Sequence, residues 1–554
     1  MNYNILIGGE AGQGMKTLTS VFSQMIHKRG YFLFTLADYM SRVRGGHNFF
    51  QLRFSDDKLY SHSDNLDVII ALNQDTLDLH IDRLNENGVI LADDNVKSDD
   101  NRLVTIKARD IAKDVGNTRT MSTVLLGALF KLFDLDDTNL KEIFSSKFND
   151  EITKQNLESY KRGQDLVKPK FKIGKGNKTE KLLINGNQAI ALGAISADMK
   201  FYSAYPMTPS TSIMSYLVTK MKMAKIIVEQ AEDEIAALNM AIGAASVGVR
   251  AMTGTSGGGF SLMVEALGLA GIAEIPVVIA VVQRPGPATG LPTRTEQADL
   301  KFVINASQGE FGRIVISLNN PEDAYYQTAR AFNLAEKYQM PVILLSDQYL
   351  ADATQTVDIF DLSKVKINRY IEENPKEDYV RYKLTENGIS PRAIPGYHPG
   401  VIINHDSDEH DENGYITESA VVRNNMVEKR AKKFTLVKNE MQEPKVIGNE
   451  NPEVLLIGWG SSYSQLTEAI GILNAEEDIY GALVFGDIWP LPTKKLSDGL
   501  ANAKKVFNIE QNYTGQLAGI IREEIGYKIN NNILRYDGRP ISAKEIVNRV
   551  LEVE

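Results

Sequence analysis

The sequence predicts a multidomain α/β protein, and three observations lead there. A chain of 554 residues, at about 150 residues per domain, makes about three to four domains. Three separate stretches alternate short apolar runs with amphipathic helical periodicity, the rhythm of strands and helices packed in layers. Composition is that of an ordinary folded protein, 43% apolar and 24% charged, neither disordered nor fibrous.

The first stretch opens with a strand over residues 3–7 and a glycine-rich turn. An amphipathic helix follows over 16–29, then a strand over 49–54 and apolar strands over 67–72 and 88–92. This order predicts a layer with a largely parallel sheet. The basic segment 168–178 breaks every periodicity and marks a boundary, so the first domain spans 1–180. A second α/β unit spans 181–360, from the run at 182–187 to a strand at 341–345, with an Ala/Gly-rich core. Residues 361–445 carry many charges and prolines with little periodicity and read as a connector ordered by contact. Its acidic turn, 405–412, lacks EF-hand spacing and reads as a solvated or interface loop. A third α/β unit, 446–554, opens at 453–460 and adds strands at 480–485 and 505–509. No short repeat or heptad array is present.

Composition excludes several classes. The net charge of −10 provides no basic field for a polyphosphate backbone, so nucleic acid is not an expected partner. The absence of cysteine removes disulfides, cysteine nucleophiles and cysteine-ligated iron–sulfur clusters from this chain. The most apolar window, 264–282, is interrupted by Glu265, Glu274 and Pro276, which argues against a membrane span. The start lacks a basic region followed by a cleavable apolar stretch, so the expected location is cytoplasmic.

Gly9-Glu10-Ala11-Gly12-Gln13-Gly14-Met15-Lys16-Thr17 follows a strand and opens a helix, where free amide donors and the helix dipole favour an anion. Met15 stands where a P-loop lysine would follow the last glycine, and the glycines miss the G-x-G-x-x-G spacing, so neither ATP hydrolysis nor a dinucleotide fingerprint is supported. A tight turn without ligand is an equal reading of these residues. Ser41-Arg42-Val43-Arg44-Gly45-Gly46-His47-Asn48 could grip a phosphate, or be a solvated loop.

The middle unit carries the sharper pattern. Ala204-Tyr205-Pro206-Met207-Thr208-Pro209-Ser210-Thr211-Ser212 ends a strand on two prolines and offers hydroxyl caps to a helix beginning near Ser210. The Thr208 hydroxyl thus stands at a strand's C-terminal edge, where open α/β sheets bind ligands. Residues 228–237 place acids in the first turn of a helix whose continuation is small and apolar. Some of these acids need only the helix dipole to explain them, whereas Glu234 looks buried and needs a hydrogen-bonding partner or a proton. The turn Thr253-Gly254-Thr255-Ser256-Gly257-Gly258-Gly259-Phe260 reads as flexible and able to bring backbone amides against a ligand. Arg284 leaves another strand end and can clamp a carboxylate or form a structural ion pair. None of the seven histidines lies in this unit, so no Ser-His-Asp or metal–histidine site can be built within it. A carboxylate, a rigid threonine and an arginine without a protein nucleophile suggest that an organic cofactor supplies the nucleophile.

The middle unit resembles the pyrimidine-binding domain of 2-oxoacid:ferredoxin oxidoreductase α subunits. The match lies at residues 205–210, at Glu232-Asp233-Glu234-Ile235-Ala236-Ala237, at residues 255–263 and from Gln283-Arg284 through Thr293. Residues 9–14 and 44–48 resemble the family's γ domain, fused here ahead of α. The last unit resembles its transketolase-like C-terminal domain at Gly458-Trp459-Gly460-Ser461, Trp489-Pro490-Leu491-Pro492 and residues 510–517.

The resemblance implies thiamine diphosphate shared with a β subunit, which would hold magnesium and a [4Fe-4S] cluster. This chain then supplies half a site and no metal ligand. Glu234 would contact the pyrimidine ring nitrogen and so promote ylide formation, with Tyr205 and Pro206 among the cofactor contacts. Thr208 and Arg284 would hold the 2-oxoacid. Gly12, Gly14 and Arg44 would help bind coenzyme A as cosubstrate. The implied activity is coenzyme-A-dependent oxidative decarboxylation of a 2-oxoacid, 2-oxoglutarate before pyruvate, with electrons leaving through β to ferredoxin in an (αβ)2 heterotetramer. Two other readings are a self-contained thiamine diphosphate decarboxylase, against which stands the lack of a Gly-Asp-Gly diphosphate motif, and a non-catalytic nucleotide-binding or assembly subunit.

Overall fold

The structure is a computed structural model, and it describes residues 1–41, 46–177 and 179–553. The chain divides into two compact units, one of Met1–Ile184, Ala353–Ile359 and Ser542–Lys544, the other of Asn185–Asp352, Phe360–Ile541 and Glu545–Glu554.

The first unit is built on an eight-stranded sheet. Its order is Leu103–Ile106, Leu84–Asp93, Leu66–Ala71, Asn2–Gly9, Asn48–Ser55, Phe32–Asp38, Thr354–Asp358 and Lys181–Ile184. The first four strands are parallel to one another, and every pairing after that is antiparallel. The expectation of a largely parallel sheet therefore fails in half of it. The cause is local: the connection from Asp38 to Asn48 is shorter than the dozen or so residues a parallel crossover needs, so the two strands form a hairpin. The strand Lys181–Ile184, read from sequence as the opening of the second stretch, pairs with Thr354–Asp358 at the edge of this sheet.

The amphipathic helix Met15–Lys28 buries Leu18, Val21, Phe22, Met25 and Ile26 against the sheet's core. Helices Met121–Leu132 and Asp150–Gln164 cross with their backbones almost touching. A Cβ on Gly127 would fall 1.9 Å from the Tyr160 carbonyl oxygen, and one on Gly163 equally close to that of Val124. Glycine is the residue that allows this approach.

The second unit holds two sheets. The larger has the order Asp487–Trp489, Ile314–Ser317, Val342–Asp347, Val278–Gln283, Ala251–Thr255, Phe201–Ala204 and Ile227–Gln230, parallel except for its first strand. The smaller has the order Lys445–Gly448, Tyr480–Phe485, Val454–Trp459, Lys505–Glu510 and Asn531–Leu534, with only its first strand antiparallel. One continuous core runs through both, with Leu300 and Val303 from one stretch in the same cluster as Leu517 and Ile521 from the other. The strand Asp487–Trp489 also crosses over to extend the larger sheet.

The segment read as an aperiodic connector contains an 18-residue helix, Ala420–Val437, begun by Ser419, whose hydroxyl accepts from the Val422 amide. Hydrophobic periodicity is silent here because the buried positions include Lys429, Arg430 and Lys433. Lys429 and Lys433 both pair with the fully buried Glu274 carboxylate. No helix among the described residues is long and apolar enough to cross a membrane.

Candidate active site

Three neighbouring parallel strands, Phe201–Ala204, Ala251–Thr255 and Val278–Gln283, release their chains at one edge of the larger sheet. Glu234 joins them from the edge strand Ile227–Gln230. The structure corrects the placement of the acids. Glu229 lies in that strand and is exposed, Glu232 is exposed ahead of the helix, and Asp233 is the N-cap, its carboxylate accepting from the Ala236 amide at 2.7 Å. Glu234 alone is acidic in the first turn of the helix Glu234–Ser246.

Glu234 is 3% exposed, and its Oε1 has no hydrogen-bond partner. Burial pushes its carboxyl above the usual glutamate range, with the charge of Asp233 adding to the shift. A Cβ on Gly259 would fall 2.4 Å from Glu234 Oε1 and 2.1 Å from Thr255 Oγ1. The glycines of this turn therefore serve a different end from the flexibility expected of them. Gly257–Phe260 is an ordered helical turn, and its bare backbone lets carboxylates close in. Gly257 meets Asp299 in the same way, with a virtual Cβ 2.2 Å from Asp299 Oδ2.

Arg284 donates through Nη1 to the backbone carbonyl of Thr208 at 2.7 Å, so the two residues predicted to hold the substrate are joined directly. Burial lowers the Arg284 guanidinium, and the charge of Asp299 opposes that. Asp299 is fixed by its amide, which donates to Gln283 Oε1 at 2.9 Å, while its buried Oδ2 lacks a partner. Burial pushes Asp299 up to about 6 against the pull of Arg284, and Glu296 up to about 7 with help from Asp299.

Met207 links the Thr208 loop to the glycine turn, its sulfur accepting from Ser256 Oγ at 2.6 Å. Pro206 is half-buried beside it and Tyr205 is 39% exposed. The expected hydroxyl cap is absent: Ser210 occupies the N-cap position of the helix Thr211–Ala224, but its hydroxyl donates to the Met207 carbonyl instead.

In the first unit, Gly12 and Gly14 take φ of +95° and +84°, and Gly14 is the N-cap of the helix Met15–Lys28. The first turn of that helix carries no acidic residue, so the field at its start favours an anion. Arg44 lies outside the described residues.

Residues 192–429 match the family described as pyruvate flavodoxin/ferredoxin oxidoreductase, thiamine diphosphate-binding. Residues 4–166 match pyruvate ferredoxin/flavodoxin oxidoreductase, and residues 452–546 match pyruvate:ferredoxin oxidoreductase core domain II. A 2-oxoacid:ferredoxin oxidoreductase subunit alpha from a Sulfolobus species is 33% identical over all of this chain and 97% of its own length. The chain is an α subunit of the 2-oxoacid:ferredoxin oxidoreductase family. The 2-oxoglutarate synthase subunit KorA of Methanothermobacter thermautotrophicus is 31% identical over 68% of this chain and 99% of its own. The solved 2-oxoglutarate:ferredoxin oxidoreductase of Magnetococcus marinus, with 2-oxoglutarate, coenzyme A and succinyl-CoA bound, superimposes with a TM-score of 0.93 at 34% identity, covering 100% of this chain and 99% of that one.

Glu234, Thr208, Arg284, Tyr205 and Pro206 all fall within the segment matched to the thiamine diphosphate-binding domain. Their chemistry fits that cofactor: a buried, unpartnered carboxyl oxygen over a glycine is ready for a ring nitrogen. Sequence reasoning missed Asp299 and Glu296 and the sulfur acceptor of Met207. The signal for the two acids was present in Glu296-Gln297-Ala298-Asp299, yet only the folded chain shows Asp299 against Gly257 and Arg284.

Proposed function

We propose that this subunit, with a β subunit, catalyses coenzyme-A-dependent oxidative decarboxylation of a 2-oxoacid, with 2-oxoglutarate preferred and pyruvate second. The observation that carries the reading is the unpartnered Oε1 of the buried Glu234, in one strand-edge cluster with an arginine locked to the Thr208 loop. Leaving such a group unpaired is costly, and perturbed carboxyls of this kind cluster at functional sites.

Thiamine diphosphate, when bound, supplies the carbon nucleophile for the substrate carbonyl. Glu234 holds a proton at Oε1 or accepts one there, and burial raises its affinity for that proton above the ordinary glutamate value. Arg284 stays cationic despite burial and offers donors beyond the one given to Thr208, which suits a planar carboxylate. Asp299 and Glu296 temper that positive charge according to their protonation. Gly12, Gly14 and Arg44 are assigned to coenzyme A. A [4Fe-4S] cluster is assigned to β, because this chain has no cysteine, magnesium is assigned there with the cofactor's diphosphate, and electrons pass through β to ferredoxin. An (αβ)2 assembly in the cytoplasm completes the reading, and the domain limits 1–180, 181–360, 361–445 and 446–554 remain part of it.

The test is to co-express the chain with the cysteine-containing β subunit and assay viologen reduction with coenzyme A and either 2-oxoglutarate or pyruvate. Faster reduction with 2-oxoglutarate is expected. A stable complex inert with every 2-oxoacid would contradict the reading and favour a nucleotide-binding or assembly role.

A further inference from the structure

A chain of buried and half-buried polar side chains in the first unit ends beside the turn of Gly12 and Gly14. Arg83 donates through Nε to the Asp64 carbonyl at 2.8 Å and through Nη2 to Gln51 Oε1 at 2.8 Å. Gln51, 3% exposed, is itself held by a bond from its Nε2 to Asn4 Oδ1 at 3.2 Å. With the guanidinium so fixed, its Nη1 lies 3.1 Å from Nδ1 of His80, which is 8% exposed. His80 Nε2 lies 2.9 Å from His47 Nε2.

Only one assignment of protons satisfies these contacts. Arginine has no acceptor, so His80 Nδ1 must accept. The proton of His80 then sits on Nε2 and is donated to His47. His47 Nε2 is thereby an acceptor, and the His47 proton sits on Nδ1. A cationic His47 would set two N–H groups against each other. Burial lowers both imidazoles, His80 to about 3 with the charge of Arg83 adding, so both are neutral near pH 7. Asp38 and Asp75 also face His47, and their charges oppose the shift without cancelling it.

The outcome is a single N–H, at His47 Nδ1, which is buried and unpartnered. The ring is clamped by stacking on Phe49, 5.7 Å between centroids at 28°, and by His80 at 5.0 Å. A Cβ on Gly8 would lie 3.2 Å from His47 Cε1, so the imidazole edge borders the last residues of the strand Asn2–Gly9, where the turn of Gly12 and Gly14 begins. This strand pairs parallel on one side and antiparallel on the other, and its carboxyl end is the edge at which open α/β sheets take ligands.

We propose that His47 is the oriented hydrogen-bond donor that this chain presents to coenzyme A, with His80 and Arg83 as positioning residues that lock its proton on Nδ1. The proposal rests on the reading that the coenzyme binds at the glycine turn. The acceptor on the coenzyme is a phosphate oxygen or a pantetheine carbonyl.

The test is histidine ¹⁵N NMR on the αβ complex labelled in this chain, with calorimetry alongside. The ring nitrogen shifts should report Nδ1–H for His47 and Nε2–H for His80, and coenzyme A should move the His47 Nδ1 signal. Inorganic pyrophosphate alone moves it if the acceptor is a phosphate oxygen, and pantetheine alone moves it if the acceptor is a carbonyl. His47→Phe should weaken coenzyme A binding about tenfold, the loss of one hydrogen bond to a charged or strongly polar group. Arg83→Met should leave His80 and His47 in mixed tautomers and cost binding less. Finding His47 as Nε2–H, or coenzyme A binding with the His47 signals unmoved, overturns the proposal while sparing the coenzyme reading. Failure of the wild-type complex to bind coenzyme A overturns both.

Discussion

Two buried glutamates in the second unit meet opposite fates. Glu274 is fully buried, yet Lys429 and Lys433 each reach one of its oxygens, and Arg381 donates to its backbone carbonyl at 2.8 Å. Burial alone would raise its carboxyl, but the charges of Lys433, Lys429 and Arg381 override that and hold it far below the usual range. Glu234 is nearly as buried, makes no ion pair among the described residues, keeps an oxygen without a partner and is shifted upward. A buried carboxylate that is fully paired belongs to the fold, where it ties the helix Ala420–Val437 to the sheet. One left incomplete is the mark on which the proposed cofactor contact of Glu234 rests.

The largest expected effect comes from exchanging Glu234. Glu234→Gln should slow turnover of the αβ complex by about 10²- to 10⁴-fold, the range of an acid–base contact, in the viologen assay. The same change should not harm the fold. The Glu234 carboxyl binds its proton more tightly folded than unfolded, so the wild-type chain loses stability as pH rises from the ordinary glutamate value through the raised one. The glutamine variant escapes that loss. Its Tm advantage in the cofactor-free chain should therefore be absent below this interval and complete above it, and equal Tm values at every pH would show that Glu234 carries no strain.

Glu274→Ala should do the reverse. Stranding two buried lysines costs about 3–5 kcal/mol, read as a lower urea midpoint or as poor accumulation of the chain. A variant as stable as wild type would erase the contrast between the two sites.

Smaller effects sharpen it. Arg284→Ala should raise KM for the 2-oxoacid by about 10- to 100-fold, as expected for a lost charged hydrogen bond, and lower turnover, with thiamine diphosphate affinity unchanged by calorimetry. A parallel loss of cofactor affinity would reassign Arg284 to the cofactor. Met207→Ile should cost least, under about 1.5 kcal/mol, most of it from the acceptor that Ser256 Oγ loses. A cost well above that would mean that the sulfur contact holds the Thr208 loop in place.

These residues differ in how far the sequence alone reveals them. Glu234, Thr208 and Arg284 are legible because each follows a strand in a motif whose local chemistry points to a ligand, and the fold brings all three to one sheet edge. The layered α/β class is legible from periodicity alone. The helix Ala420–Val437 is not, because its buried face is lined with lysine and arginine where a pattern search looks for apolar residues. The antiparallel half of the first sheet escapes for another reason: strand direction follows from connection length and from the distant strand Thr354–Asp358, neither of which alternation records. The approach of Asp299 to Gly257 and that of His47 to the His80–Arg83 turn are tertiary facts, made by residues far apart in the sequence.

The comparison stands or falls on Glu234. The most direct measurement is to purify the Glu234→Gln complex and record its turnover and its thermal melt together at pH 8. The account predicts a complex that assembles, melts no lower than wild type and has lost at least about a hundredfold in coenzyme-A-dependent viologen reduction. Turnover within about twofold of wild type, or a loss that tracks a lowered melting temperature, would contradict it.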